Sequence, residues 1–170
     1  MKNIVLIGFM GVGKGSIARA MVKHTSLMAL DTDDIIESVE NRSIKEIFAT
    51  EGEEYFRALE RKTARWLKKK VTGTIISTGG GFFKVPALKK VGTIVLLNAP
   101  FDTIYERISA HPDAEKKFKK RPLFKDIEKA RALYEDRLPQ YLKVADIVID
   151  VSDKTVDMIA KEIIKKGKKR

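Results

Sequence analysis

Short apolar runs alternate with longer helical patterns along this chain. The runs are rich in β-branched residues and few of them alternate with polar positions. They span residues 3–7, 27–30, 74–77, 93–97 and 146–149. Because strands that are buried on both faces give such continuous apolar runs, the pattern predicts five strands in a parallel sheet that helices cover on both sides.

The segments between these runs carry apolar residues at helical spacing. Helices are predicted over residues 14–23, 33–40, from 43, 53–70, 102–109, 126–137 and 154–166. Ser43 and Glu46 have the spacing of a capping box, and Gly52 interrupts the pattern that follows. Pro139 is expected to bend or end its helix. The apolar side of the helix over 53–70 is expected to include Phe56, Leu59, Thr63, Trp66 and Leu67.

A glycine-rich loop follows the first strand. Residues 8–14, G-F-M-G-V-G-K, lie between a strand and a helix, the context that a phosphate-binding loop requires. Glycines let backbone N–H groups reach phosphate oxygens at a helix N-terminus, and Lys14 adds a positive charge. Gly15 stands where most such loops place the Ser or Thr that binds Mg²⁺. Ser16 lies ~100° further around the helix. We therefore predict that a water held by Asp31 takes that ligand position.

Carboxylates end the second strand, where ligands bind in open α/β sheets. Asp31 is expected to face a metal and Asp33 an acceptor, whereas Asp34 suits helix N-capping, the alternative role for Asp33 as well. Arg57 and Glu60 are i,i+3 neighbours that form either a surface pair or part of a site.

Three further segments have both a structural and a functional interpretation. The glycines at 79–81 either form a turn or offer bare backbone N–H donors to a ligand. Arg137 either pairs with a helix dipole or belongs to a site with Tyr141. The lysine-rich segment 111–124, which contains Arg121, is either a solvated loop or a mobile lid.

Together these motifs resemble the shikimate kinase family of the nucleoside-monophosphate-kinase branch of P-loop proteins. The motifs are G-F-M-G-V-G-K at 8–14, D-T-D at 31–33, F-R-x-x-E at 56–60, S-T-G-G-G at 77–81, R-P-L at 121–123 and R-x-x-x-Y at 137–141. The resemblance covers essentially the whole chain. It implies one α/β domain over residues 1–170 with the three-layer P-loop kinase fold. That fold has a five-stranded parallel sheet of order 2-3-1-4-5, a substrate-binding region at about 33–61 and a lid at about 111–124.

The resemblance also implies a reaction, the transfer of the γ-phosphoryl of ATP to the 3-hydroxyl of shikimate on the pathway to chorismate and aromatic amino acids. Asp33 would hold the acceptor hydroxyls as the base, with Lys14 and the lid residue Arg121 beside the phosphates. Arg57 and Arg137 would clamp the carboxylate with their guanidinium forks. The remaining acceptor-side residues would be Glu60, which orients Arg57, the backbone amides of Gly79, Gly80 and Gly81, and the apolar wall Phe48.

The implied nucleotide site is built from the phosphate loop and two later segments. Its residues would be Gly11, Val12, Gly13, Lys14, Gly15, Ser16, Arg107, Arg121 and Ser152. Arg107 would flank the adenine, and the loop over residues 150–154, which contains Ser152, would touch its other side. Mg²⁺ would be held through water by Asp31 and Ser77, with Ser16 as an alternative ligand.

Composition narrows the function classes. The 170 residues include no cysteine and 2 histidines, which excludes a disulfide scaffold, a Cys-ligated metal and thiol catalysis and argues against a His-rich metal site. No apolar run approaches the ~18 residues of a membrane span. We expect a cytoplasmic monomer with no membrane partner.

The net charge of +11 raises a nucleic-acid hypothesis. The excess is concentrated at residues 57–70, 115–125 and 159–170 rather than spread evenly. Because no aromatic-studded basic face or recognition motif accompanies it, we expect no nucleic-acid partner. Two alternatives stay open, a related kinase acting on a nucleoside monophosphate or gluconate, and a nucleic-acid-binding ATPase.

Overall fold

The structure is a computed structural model that describes residues 2–119 and 122–167. Arg121, the lid arginine of the sequence analysis, lies outside the described residues. Within them, the strands are β1 (Asn3–Ile7), β2 (Met28–Asp31), β3 (Thr74–Ser77), β4 (Gly92–Asn98) and β5 (Ile147–Asp150). All four pairings are parallel and the order is β2-β3-β1-β4-β5. This topology confirms the predicted fold class.

Helices cover both faces of this sheet. They are α1 (Lys14–Lys23), α2 (Thr32–Glu40), α3 (Ile44–Lys70), α4 (Phe101–Ser109), α5 (Ala114–Lys119), α6 (Ile127–Val144) and α7 (Val156–Gly167). Short 3-10 turns span Phe82–Lys84, Leu88–Lys90 and Pro122–Lys125. The capping box of Ser43 and Glu46 is present at the start of α3. Gly52 interrupts α3 with a φ of 80°. No helix in the described ranges is both long and apolar enough to cross a membrane.

Four element predictions are wrong. Segment 111–124 has no clear period in the sequence, yet it contains α5 and most of a 3-10 turn. The helix predicted over 126–137 ends too early, because α6 continues past Pro139 to Val144 and Ala145 N–H donates to the Tyr141 carbonyl at 3.0 Å. Asp34 is not an N-cap, since Asp31 accepts from Asp33 N–H and caps α2 itself. Other ends differ from the prediction by one or two residues.

The fourth error concerns the buried side of α3. The sequence pattern predicts Trp66 on the apolar side of this helix, but Trp66 is 45% exposed. The buried stripe passes through Glu60, Thr63, Ala64 and Leu67, which leaves Trp66 on its flank. A charged residue, Glu60, thus occupies a stripe position that the pattern predicts to be apolar.

Two hydrophobic clusters organise the interior. The larger one surrounds the central strands, whereas edge strand β5 alternates between buried and exposed positions because only one of its faces is covered. A smaller cluster of Ile36, Ile47, Phe56 and Leu59 joins α2 to α3. This second cluster fixes the helices that carry Asp33 and Arg57.

Asn3 is a buried polar side chain that joins three segments of the sheet. Its Nδ2 donates to the carbonyls of Val71 (2.8 Å) and Val91 (2.9 Å), and its Oδ1 accepts from Thr74 N–H (3.1 Å). These partners lie at or just before the starts of β3 and β4, the two strands that flank β1. The side chain therefore aligns the three central strands.

Replacing Asn3 tests that role. Asn3→Ala removes three hydrogen bonds and leaves buried backbone groups unpaired, so we expect the free energy of unfolding to fall by about 3 kcal/mol. Urea denaturation measures the change, and Lys2→Ala at the exposed neighbouring position is the control. Equal stability of the two variants would contradict the assignment.

Candidate active site

The phosphate loop links β1 to α1 and holds its lysine inward. Gly8 has a φ of 144°, and a Cβ there would lie 2.6 Å from the Leu97 carbonyl oxygen, so only glycine fits. Lys14 is buried, and its Nζ donates to the carbonyls of Gly8 (2.8 Å) and Phe9 (3.1 Å). The predicted residues Gly11, Val12, Gly13, Gly15 and Ser16 lie on the same loop or at the start of α1. The loop therefore presents a fixed positive charge at a helix N-terminus.

The glycine triplet after β3 is the centre of the predicted acceptor side. A Cβ on any of the three would crowd a charged side chain from another element: Asp33 Oδ1 at 2.6 Å from Gly79, Arg137 Nη1 at 3.3 Å from Gly80, and the Arg57 guanidinium, in direct collision, from Gly81. Bare backbone is thus what lets three charged residues converge on one place. Gly79 N–H donates to Thr32 Oγ1 at 3.2 Å, so the Gly79 amide predicted as a ligand donor already has a partner.

Arg137 and Tyr141 reach this triplet from α6. Arg137 Nη1 donates to the Gly80 carbonyl at 3.2 Å and Tyr141 Oη donates to the same oxygen at 2.6 Å. Burial raises the pKa of Tyr141 to about 12, so the phenol stays a donor. Sequence reasoning gave Tyr141 no role of its own. The i,i+4 spacing from Arg137, which puts both side chains on one helix face, was the available signal.

Arg57 lies between two carboxylates. Its Nη1 donates to Glu60 Oε2 at 2.6 Å, and its Nε (3.1 Å) and Nη2 (2.8 Å) both donate to Glu53 Oε1. Glu60 is 1% exposed, and burial raises its pKa against the opposing attraction of Arg57. Glu53 was missed from the sequence, where an i,i+4 acid–base pair is typical of any exposed helix. Glu60 thus makes the hydrogen bond by which it is predicted to orient Arg57. Glu53 is a second acid bound to the same guanidinium group.

Asp33 carries the most perturbed carboxyl of the site. Its Oδ1 is buried without a hydrogen-bond partner among the described residues. Burial above all, with the nearby charges of Asp31 and Glu60, raises the pKa of Asp33 to about 7. A carboxyl whose pKa lies near neutral and whose buried Oδ1 has no partner among the described residues can accept a proton or a hydroxyl hydrogen bond from a ligand.

Asp31 and Ser77 form a second pair beside the phosphate loop. Ser77 Oγ donates to Asp31 Oδ2 at 2.6 Å, and a Cβ at Gly15 would lie 4.0 Å from Ser77 Oγ. Ser16 is exposed, and its Oγ accepts from Arg19 at 3.3 Å. In the described ranges no cluster of three or more His, Cys, Asp or Glu side chains could hold a metal. These oxygen donors fit Mg²⁺ held mostly by phosphates and water.

The predicted adenine-flanking elements are neighbours. Arg107 Nη2 on α4 donates to the carbonyls of Val151 and Ser152, and Asp150 Oδ1 orders that loop by accepting from Ser152. On the acceptor side, Phe48 is 38% exposed and its ring centroid lies 4.9 Å from that of Phe56. Within the described residues, the predicted site residues therefore lie along one edge of the sheet or on the helices beside it.

Sequence comparisons connect this geometry to known proteins. A family model described as shikimate kinase matches residues 10–168. A shikimate kinase of Caldanaerobacter subterraneus subsp. tengcongensis is 42% identical, over 97% of this chain and 95% of its own. One of Helicobacter hepaticus is 40% identical, over 96% and 95%.

Solved structures agree. A shikimate kinase from Acinetobacter baumannii in complex with shikimate matches with a TM-score of 0.86 and 27% identity, over 99% of this chain and 94% of its own. One from Aquifex aeolicus matches with a TM-score of 0.75 and 30% identity, over 98% and 96%. A gluconokinase from Sinorhizobium meliloti, at 12% identity and a TM-score of 0.52 over 96% of this chain and 90% of its own, shares the fold alone.

The raised pKa of Asp33 predicts a pH-dependent cost to stability. Because the value rises from 3.8 to about 7 on folding, the folded state binds more protons than the unfolded chain in that interval. The free energy of unfolding contributed by this group therefore falls as pH rises from about 4 to about 7. Asp33→Asn should have a higher Tm than the parent at pH 8 and a similar Tm at pH 4.

Thermal unfolding at both pH values measures this effect. Asp34→Asn, at the exposed next position, controls for the loss of one negative charge. A lower Tm for Asp33→Asn at pH 8 is the outcome that contradicts the prediction.

Proposed function

The chain belongs to the shikimate kinase family, and we propose from that premise how its residues transfer the γ-phosphoryl of ATP to the 3-hydroxyl of shikimate. The family is one of ATP-dependent phosphotransferases with an alcohol acceptor. The observation that carries the assignment of roles is the convergence of Asp33, Arg57 and Arg137 on the glycine triplet. One carboxyl and two guanidinium groups there match an acceptor that has hydroxyls and one carboxylate.

The acceptor carboxylate binds to Arg57 and Arg137 in this proposal. Guanidinium groups suit it because their N–H donors match the two oxygens of a planar carboxylate. Asp33 accepts a hydrogen bond from the reacting hydroxyl, with its pKa raised toward neutrality to serve as base. Phe48 forms an apolar wall of the pocket, and the backbone of residues 79–81 forms its floor.

Lys14 stabilises charge on the β- and γ-phosphates. Phosphoryl transfer depends on positioning and charge neutralisation more than on covalent assistance. Arg121 in the lid adds a second cation, and closure of segment 111–124 excludes water that would hydrolyse ATP. Mg²⁺, when bound, neutralises phosphate charge. Asp31 and Ser77 would hold it through water, with Ser16 as the alternative ligand.

The enzyme is proposed to act as a cytoplasmic monomer without nucleic-acid or membrane partners. A kinase for gluconate is the main rival, since gluconate is also a hydroxylated carboxylate. A nucleoside-monophosphate kinase is less well supported, because separated arginines around bare backbone suit a small acid better than a nucleotide base.

A substrate panel tests the acceptor. Coupled ADP release with shikimate, gluconate, AMP and CMP should give turnover with shikimate only. Turnover with AMP or gluconate but not with shikimate would contradict the assignment of shikimate as the acceptor. Retention of labelled RNA in a gel shift at ~0.2 M salt would instead support the nucleic-acid ATPase, since bare charge attraction weakens steeply there.

Because Gly15 has no hydroxyl at the position where most phosphate loops have a Ser or Thr, we expect the protein itself to bind Mg²⁺ weakly. A Cβ there would lie 3.4 Å from Arg19 Nη1 and 4.0 Å from Ser77 Oγ, so a serine fits without backbone movement. Gly15→Ser adds a hydroxyl ligand and should tighten metal binding in the ADP complex by up to about tenfold. Titration of Mn²⁺ into the ADP complex, followed by electron paramagnetic resonance, measures it.

Ser16→Ala is the matched control for the metal titration. It should leave Mn²⁺ affinity unchanged if a water occupies the ligand position at Gly15. A large loss of affinity in Ser16→Ala, or a crystal structure with Ser16 Oγ on the metal, would identify Ser16 as the ligand and contradict this prediction.

A further inference from the structure

Arg57 has a second carboxylate partner that the proposed reaction does not use. Glu53 Oε1 accepts from both Nε and Nη2, which together form the side edge of the guanidinium fork. Glu60 takes Nη1 on the other side. A substrate carboxylate that approaches Arg57 therefore meets a cation already paired twice.

The two acids differ in accessibility. Glu60 is 1% exposed and Glu53 is 66% exposed. The backbone of Gly81 lies against the guanidinium group, since a Cβ there would collide with Cζ, Nη1 and Nη2. The bonds from Nε and Nη2 to Glu53 are exposed to solvent, whereas the bond from Nη1 to Glu60 is partly buried. A ligand can therefore reach the guanidinium group on the side where Glu53 is bound.

We infer that Glu53 is a resident competitor for the acceptor carboxylate, which takes the side edge of Arg57 only by displacing Glu53. This inference rests on the proposed role of Arg57 as a carboxylate clamp. The exchange replaces one ion pair by another, so the net acceptor affinity is a difference between the two. In the empty site Glu53 occupies the side edge of Arg57, and as the product departs it restores the pair.

The structure provides a place for the displaced side chain. Glu53 directly follows Gly52, whose φ of 80° interrupts α3, so it lies in the first turn of the helix that continues to Lys70. A carboxylate is stabilised at a helix N-terminus. Glu53 also borders an open cavity of about 570 Å³ that Lys84 lines. The hydrogen bonds and charge of Arg57 lower the pKa of Glu53, and the charges of Arg137 and Lys84 lower it further. Positive charge therefore remains near this carboxylate when it leaves Arg57.

Direct binding measurements test the inference. Shikimate is titrated calorimetrically into the full-length protein without nucleotide, alongside its methyl ester, which lacks the negative charge. Glu53→Gln should bind shikimate about two- to fivefold more tightly, the range expected for loss of one exposed competing ion pair. Its affinity for the ester should not change. Glu54→Gln, an exposed acid at the next position, removes the same charge and should leave both affinities unchanged.

Three results overturn the inference. Weaker shikimate binding in Glu53→Gln makes Glu53 a support for Arg57, unchanged binding gives it no role, and an equal gain in Glu54→Gln reduces the effect to net charge. Arg57→Gln, titrated in parallel, separates this test from the proposed function. If Arg57→Gln weakens shikimate binding while Glu53→Gln does not tighten it, only the competing role of Glu53 is rejected. If Arg57→Gln has no effect on shikimate binding, both the role of Arg57 as carboxylate clamp and the competing role of Glu53 are rejected.

Discussion

The acceptor side depends on three consecutive backbone positions that have no room for a side chain. Gly79, Gly80 and Gly81 each lie against a charged group from a different part of the chain. The parallel sheet makes this convergence possible, because β3 lies between β2 and β1. The triplet therefore follows β3 at the same edge of the sheet where the segments after β1 and β2 begin. Small residues here are thus a steric requirement of the charge arrangement.

Two local devices aim the charged groups at that triplet. The small cluster of Ile36, Ile47, Phe56 and Leu59 locks α2 against α3. The break at Gly52 then sets the direction of the stretch of α3 that carries Arg57. Rigid placement suits transfer chemistry, since small displacements of positioning groups are costly in rate.

The fold and most of the site were predictable because they depend on local signals. Continuous apolar runs identified the central strands, and glycine-rich motifs at strand ends predicted the edge of the sheet that carries the candidate site. Longer-range context decided the rest. Pro139 lies within α6, whose helical bonding resumes beyond it, and Trp66 is excluded by a stripe centred on Leu67. Glu53 was overlooked, and Tyr141 was given no role of its own, because i,i+4 pairs occur on every exposed helix and only tertiary structure distinguishes a functional pair.

Buried side-chain atoms without a hydrogen-bond partner are concentrated at the candidate acceptor site. Among the described residues, the buried side-chain atoms without a partner are Asp33 Oδ1, Glu60 Oε1 and Arg137 Nε. All three belong to the acceptor side, although the interior is far larger. A buried polar atom without a partner costs about 1–3 kcal/mol, so three in one place oppose folding unless something binds there. The burial that raises the pKa of Asp33 to about 7 therefore also lowers the stability of the fold. A ligand with hydroxyl and carboxylate groups can supply hydrogen-bond partners to the unpaired atoms and offset that cost.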